Sequence, residues 1–84
     1  MMQVLYFGWV RQKIGTGREE LSPPPGVSTV AELIEHLKSR GGGYAAAFED
    51  GAAIRAAVNQ EIAPHTTAVR EGDEVALFPP MTGG

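Results

Sequence analysis

Two imidazoles, two clusters of carboxylates, a glycine run and a glycine pair at the end are the groups in this 84-residue chain whose chemistry reaches beyond packing. His36 and His65 are the only histidines. No serine stands with either of them and an acid at a spacing that would make a nucleophile, a base and an orienting carboxylate, so both read as solvent-facing. Glu49-Asp50 and Glu71/Asp73/Glu74 offer hard oxygen ligands, but without the alternating spacing of a calcium loop. Gly41-Gly42-Gly43 follows a predicted helix, whereas a phosphate cradle precedes one. There is no cysteine, which excludes disulfides, cysteine zinc sites and side-chain thiol chemistry. None of these groups makes a self-contained active site, and no metal site is expected.

The last six residues read differently. Pro79-Pro80 is stiff and extended and directly continues an apolar stretch, so it projects Met81-Thr82-Gly83-Gly84 away from the domain. Gly83 and Gly84 lack a Cβ, which makes this the slimmest peptide available for entering a narrow channel of another protein. A frayed, unused end is the competing reading; the Pro-Pro lead-in favours use. A terminal carboxylate has a pKa of roughly 3.3–3.7 and is ionised at neutral pH, hence a poor electrophile. Adenylation by ATP would convert it to a mixed anhydride, from which a thiol or amine displaces AMP. The chain has no nucleotide-binding loop, so a separate activating enzyme is implied.

The elements that would hold such a tail can be read from periodicity. Met2 to Val10 is nearly continuously apolar and predicts a buried central strand. Arg11 to Ile14 predicts one helical turn closed by Gly15 and Gly17, and Arg18 to Leu21 a strand pairing back. Pro23-Pro24-Pro25-Gly26 interrupts any ladder. Thr29 with Glu32 three residues on has the spacing of a capping box. Val30, Leu33, Ile34 and Leu37 then make one apolar stripe of a helix that Gly41-Gly42-Gly43 ends. Tyr44 to Glu49 predicts a shorter helix and Ala53 to Val58 a strand. Asn59-Gln60 predicts a tight turn into Glu61-Ile62-Ala63. Arg70 to Asp73 predicts a turn, and Glu74 to Phe78 a last strand with Val75 and Leu77 on one face. The first and last strands, being most apolar, should be central, adjacent and parallel. One long helix across one face of a mixed sheet is an α+β architecture.

Length allows one domain, residues 1–78, with residues 79–84 as a flexible tail. Seven Lys+Arg against ten Asp+Glu give a net charge of −3, which speaks against a nucleic-acid module. With 43% apolar residues the chain reads as globular. No apolar run approaches a membrane span of roughly 18 residues, so a soluble, cytoplasmic protein without membrane contact is expected.

Asp73 to Gly84, ending Phe-Pro-Pro-Met-Thr-Gly-Gly, closely resembles the C-terminus of the small subunits of molybdopterin synthase, sulfur carriers of the ubiquitin-like β-grasp family. Val4 to Gly8 with Val10-Arg11, Ala56 to Gln60, and the Thr29-to-Leu37 helix are similar as well. Met81 departs from a common valine, and the Gly41-Gly42-Gly43 run is richer in glycine than usual. The resemblance implies a β-grasp fold and a sulfur-carrier role in molybdenum cofactor biosynthesis. It implies that an E1-like enzyme adenylates Gly84, that a sulfur donor makes the thiocarboxylate (1-thioglycine), and that no cofactor is bound by the chain itself. The tail would enter the large subunit of a heterotetrameric synthase, where the active site lies, and pass sulfur to a cyclic pyranopterin precursor. Gly83 keeps the tail thin; Thr82, Met81, Pro80 and Pro79 line it. Phe7, Ile62 and Phe78 match an apolar sheet face that docks on partners, with ordinary core as the other reading. Arg11 matches an arginine near the same surface, where it would pair with partner acids, with plain solvation as the other reading. A thiamine-pathway carrier, a ubiquitin-like protein modifier and an inert β-grasp interaction module are the alternatives.

Overall fold

Met2, Val4 and Tyr6 alternate with Gln3 and Leu5, and the first strand, β1 (Met2–Tyr6), buries the first set completely. In this computed structural model, which describes residues 1–80, β1 pairs antiparallel with β2 (Arg18–Leu21) and parallel with β5 (Glu74–Phe78). β3 (Arg55–Val58) and β4 (Glu61–Ala63) complete a five-stranded sheet in the order β2-β1-β5-β3-β4. The expected parallel neighbours are therefore found at the centre.

The first strand is shorter than its apolar run suggests. Phe7 is still extended, but Gly8 adopts φ +60 and the chain turns into helix α1 (Gly8–Ile14). That conformation is open to glycine and costly for other residues. Leaving the sheet there carries Val10 into the core, where it is fully buried.

Helix α2 (Val30–Lys38) forms where its stripe and cap predict, with Val30, Leu33, Ile34 and Leu37 all buried. Thr29 Oγ1 accepts the Glu32 N–H at 3.2 Å. The Glu32 carboxylate in return takes the N–H and hydroxyl of Ser28, each at 2.9 Å, one residue earlier than a standard capping box. Those bonds, the Ser28 N–H foremost, hold its carboxyl below the usual range.

Helix α3 (Gly42–Ala47) begins two residues before the predicted Tyr44. Gly43 explains the glycine run: a Cβ there would lie 2.1 Å from the Lys13 carbonyl oxygen, so only a bare backbone lets α3 pack so closely on α1. A 3-10 turn (Gly51–Ala53) takes the residue expected to start β3. Asn59 and Gln60 have φ of 51° and 71°, the left-handed pair of a two-residue hairpin. Asn59 also accepts the Glu74 N–H and donates to Asp73, each at 3.0 Å, which ties the hairpin to the start of β5.

Glu19 joins β2 to the helices. Its carboxylate accepts from Arg40 just after α2 and from the Tyr44 hydroxyl of α3. Burial alone would raise its pKa, but these hydrogen bonds outweigh burial and hold it below the ordinary value. Tyr6 packs edge-on to Tyr44 with its buried hydroxyl unbonded among the described residues, and burial pushes that phenol far up. Among the described residues, no helix is long and apolar enough to cross a membrane.

Candidate docking face and tail root

Side chains alternate across a sheet, so residues in register share a face. The register places Arg18, Leu5, Ala76, Ala57 and Ile62 in one row across β2, β1, β5, β3 and β4. The next row towards the end of β5 holds Phe78 opposite Arg55. Phe7, two residues beyond Leu5 in extended backbone, continues the same face. This face is the one opposite Val4, Tyr6, Val75, Leu77 and the α2 stripe. Ile62 is 74% exposed and Phe7 48%, so neither is core, and Phe78 is half-buried. All three stand on this face and outside the buried core.

The tail starts where this face ends. After Phe78, Pro79 lies against Gly8 so closely that a Cβ on Gly8 would come 2.8 Å from the proline Cγ and 2.9 Å from its Cδ. Pro80 lines an open groove of about 420 Å³ with Ile54, Arg55, Ile62, Pro64 and His65. His65 is not simply solvent-facing: its Nε2 is 2.6 Å from the Ile54 carbonyl oxygen, which holds the loop after β4 against the entry to β3. His36 is half-buried beside a separate surface groove on the outer side of α2. Met81, Thr82, Gly83 and Gly84 lie outside the described residues.

Arg11 stands on α1, exposed, with its guanidinium along Gly17 at the connection between α1 and β2. The fold thus brings Phe7, Phe78 and Pro79 together, puts Arg11 to one side of them, and sets Ile62 on the edge strand at the other side.

Sequence reasoning missed Leu5, Ala57 and Ala76, which carry the apolar row between the aromatic residues and Ile62. The period-two alternation of β1 and β5 contained that signal, because Val4 and Val75 facing the core require Leu5 and Ala76 to face away. It also missed Trp9, which is 39% exposed with the Lys13 ammonium 5.3 Å above its ring.

An open apolar face that runs into Pro79 and Pro80 at the end of β5 is an arrangement able to bind a partner surface. The model of the ThiS family matches residues 4–84, nearly the whole chain. The chain belongs to the ThiS family. Its relatives within reach of sequence comparison include the molybdopterin synthase sulfur carrier subunit of Escherichia coli (strain K12), 40% identical over 84 residues and covering 100% of both chains. Among solved structures, a Pyrococcus furiosus protein assigned as subunit 1 of the molybdopterin converting factor superposes with a TM-score of 0.74 at 29% identity, covering 95% of this chain and 97% of that one. The small archaeal modifier protein 1 of Haloferax volcanii superposes with a TM-score of 0.67 at 26% identity, over the same shares. The five-stranded mixed sheet with α2 across it is the ubiquitin-like β-grasp of this ThiS-family group.

Proposed function

We propose that this chain is the sulfur-carrier subunit of a molybdopterin synthase. The observation that carries the reading is the 40% identity to such a subunit along the whole length of both chains. The open face of Phe7, Leu5, Ala76 and Phe78, continuous with Pro79-Pro80, supports it, because a carrier needs a docking surface that leads into its reactive end.

On this reading the Gly84 carboxylate attacks the α-phosphorus of ATP in an E1-like enzyme, and pyrophosphate leaves. Sulfide delivered by a sulfur donor then attacks the acyl carbon and AMP leaves with the anhydride oxygen, giving a thiocarboxylate. The tail enters the large subunit, whose groups catalyse transfer of the sulfur to the cyclic pyranopterin precursor, and two such transfers make the dithiolene. Gly83 and Gly84 offer no side chain to either active site, Met81 and Thr82 complete the threaded segment, and Phe7, Ile62, Phe78 and Arg11 hold the carrier on its partner. All of this takes place in the cytoplasm, where the activating enzyme and ATP are available.

Incubation with ATP, the activating enzyme and a sulfur donor is expected to raise the intact mass by one sulfur-for-oxygen exchange, confined to the C-terminal peptide. The likeness to an archaeal modifier protein favours a second reading, in which Gly84 forms isopeptide bonds to lysines. Lysine adducts without any thiocarboxylate would select that reading, and an unchanged mass under conditions that load a known carrier would discard both. Removing Gly83-Gly84 should abolish loading and leave thermal unfolding unchanged, since the core of the described residues ends at Leu77.

A further inference from the structure

The chain carries a net charge of −3, but the fold does not mix its charges evenly. At the end of the sheet from which the tail leaves, β2 begins at Arg18 and β3 at Arg55, while α1 carries Arg11 and Lys13. Among the described residues no carboxylate lies on α1 or at a strand terminus there; Glu19, the nearest along β2, faces the helices and is tied to Arg40, and Glu49 and Asp50 lie in the connection from α3 to the 3-10 turn before β3. At the opposite end, β4 begins at Glu61 and β5 at Glu74, with Glu71 and Asp73 in the preceding turn and Glu20 near the end of β2. Arg11, Lys13, Arg18 and Arg55 are all exposed. Among the described residues the ion pairs are Arg40–Glu19 and the N-terminal amine–Glu71, so none of these four cations has a carboxylate partner.

Folding does not account for this segregation. Four exposed like charges at one end repel one another, and exposed cations contribute little to stability. Their position fits recognition instead, because they share the end of the sheet from which the segment that enters another protein, on the carrier reading, departs.

We propose that Arg11, Lys13, Arg18 and Arg55 form a cationic collar around the tail root, and that the protein receiving the tail presents carboxylates around the mouth of its channel. This rests on the carrier reading and names the chemistry of the partner surface. The resemblance pointed to Arg11 alone; the sheet topology adds the other three. The acidic far end completes the device: an acidic channel mouth attracts the collar and repels Glu61, Glu71, Asp73 and Glu74, so the domain arrives tail first. Charges of this kind act mainly on the association rate and fade once ionic strength shortens the screening length below about 8 Å. Trp9, beneath Lys13, adds a flat apolar contact beside the charges.

The test is stopped-flow association of the full chain with the molybdopterin synthase large subunit of the same organism, from low salt to about 0.5 M. Arg55→Glu and Lys13→Glu, made separately, should each slow association roughly 5- to 10-fold at low salt. Arg70→Glu carries the same charge change at the acidic end and should stay within about twofold of wild type. All rates should converge at high salt, with dissociation little altered; circular dichroism and melting curves establish that each variant is folded. Equal slowing by Arg70→Glu, or tight wild-type binding with no salt dependence, overturns the collar while leaving the carrier assignment intact. Absence of wild-type binding at every salt concentration overturns the carrier assignment, and the collar with it.

Discussion

Leu77 and Phe78 are neighbours in β5, yet Leu77 is fully buried against the stripe of α2 and Phe78 stands on the opposite face beside Arg55 and Phe7. The same contrast repeats in β1 between Tyr6 and Leu5 and in β2 between Glu19 and Arg18. On the covered face, side chains are held: Tyr6, Val4, Val75 and Leu77 pack together, and Glu19 is bound by Arg40 and Tyr44. On the open face, Ile62 and Phe7 keep much of their surface in water, and the Arg18 guanidinium donates to the Gln3 side chain. Burying a large aliphatic side chain stabilises a fold by about 1.5–3 kcal/mol. Ile62, three-quarters exposed, forgoes most of that. Exposed apolar residues on one face contribute little to folding, and on the carrier reading this is the face proposed to meet a partner.

The contrast is sharpest in what substitution should do. Leu77→Ala should lower stability by about 2–5 kcal/mol in urea denaturation, through lost burial and the cavity left behind. Gly43→Ala should cost about 1–3 kcal/mol, because its Cβ meets the Lys13 carbonyl and must push α3 off α1; an unchanged melting temperature would disprove that close approach. Thr29→Ala should cost about 1 kcal/mol by removing the acceptor for the Glu32 amide. Ile62→Ala, in contrast, should leave stability within about 0.5 kcal/mol and weaken binding to the synthase large subunit about tenfold in titration calorimetry. If Ile62→Ala destabilised the domain as much as Leu77→Ala, the division of labour between the faces would be wrong.

Acid offers a last probe of the covered side. The folded-state pKa of Glu19 is depressed below the ordinary 4.5, so the folded state favours its charged form. Its contribution is present in full above the ordinary value and is lost as pH falls through the lower folded-state value. Urea midpoints should therefore decline on acidification below about pH 5. Glu19→Gln should flatten that part of the decline, whereas Arg18→Gln on the open face should leave it as it is.

Much of this architecture follows from short-range pattern. The α2 stripe with Thr29 and Glu32, the left-handed Asn59-Gln60 turn and the alternation of β5 depend on neighbours a few residues away, and all three form where the pattern places them. The boundary of β1 was less readable. An unbroken apolar run from Met2 to Val10 serves a strand and a buried helix start equally well, and the choice at Gly8 depends on Val10 reaching the core. Likewise, Gly41-Gly42-Gly43 signals a helix stop but not that Gly43 will touch a carbonyl thirty residues earlier.

Composition and local spacing therefore settle the element types, the best helix, the hairpin and the chemistry available to a slim glycine end, because each depends on covalent neighbours and on the period of a helix or strand. Which apolar residues turn outward, how Glu19 meets Arg40 and Tyr44, and how Arg11, Lys13, Arg18 and Arg55 come to share the end of the sheet where β5 finishes depend on the order and register of five strands. Those are contacts between residues far apart in the chain, and they exist only once β1 and β5 have paired in parallel at the centre of the sheet.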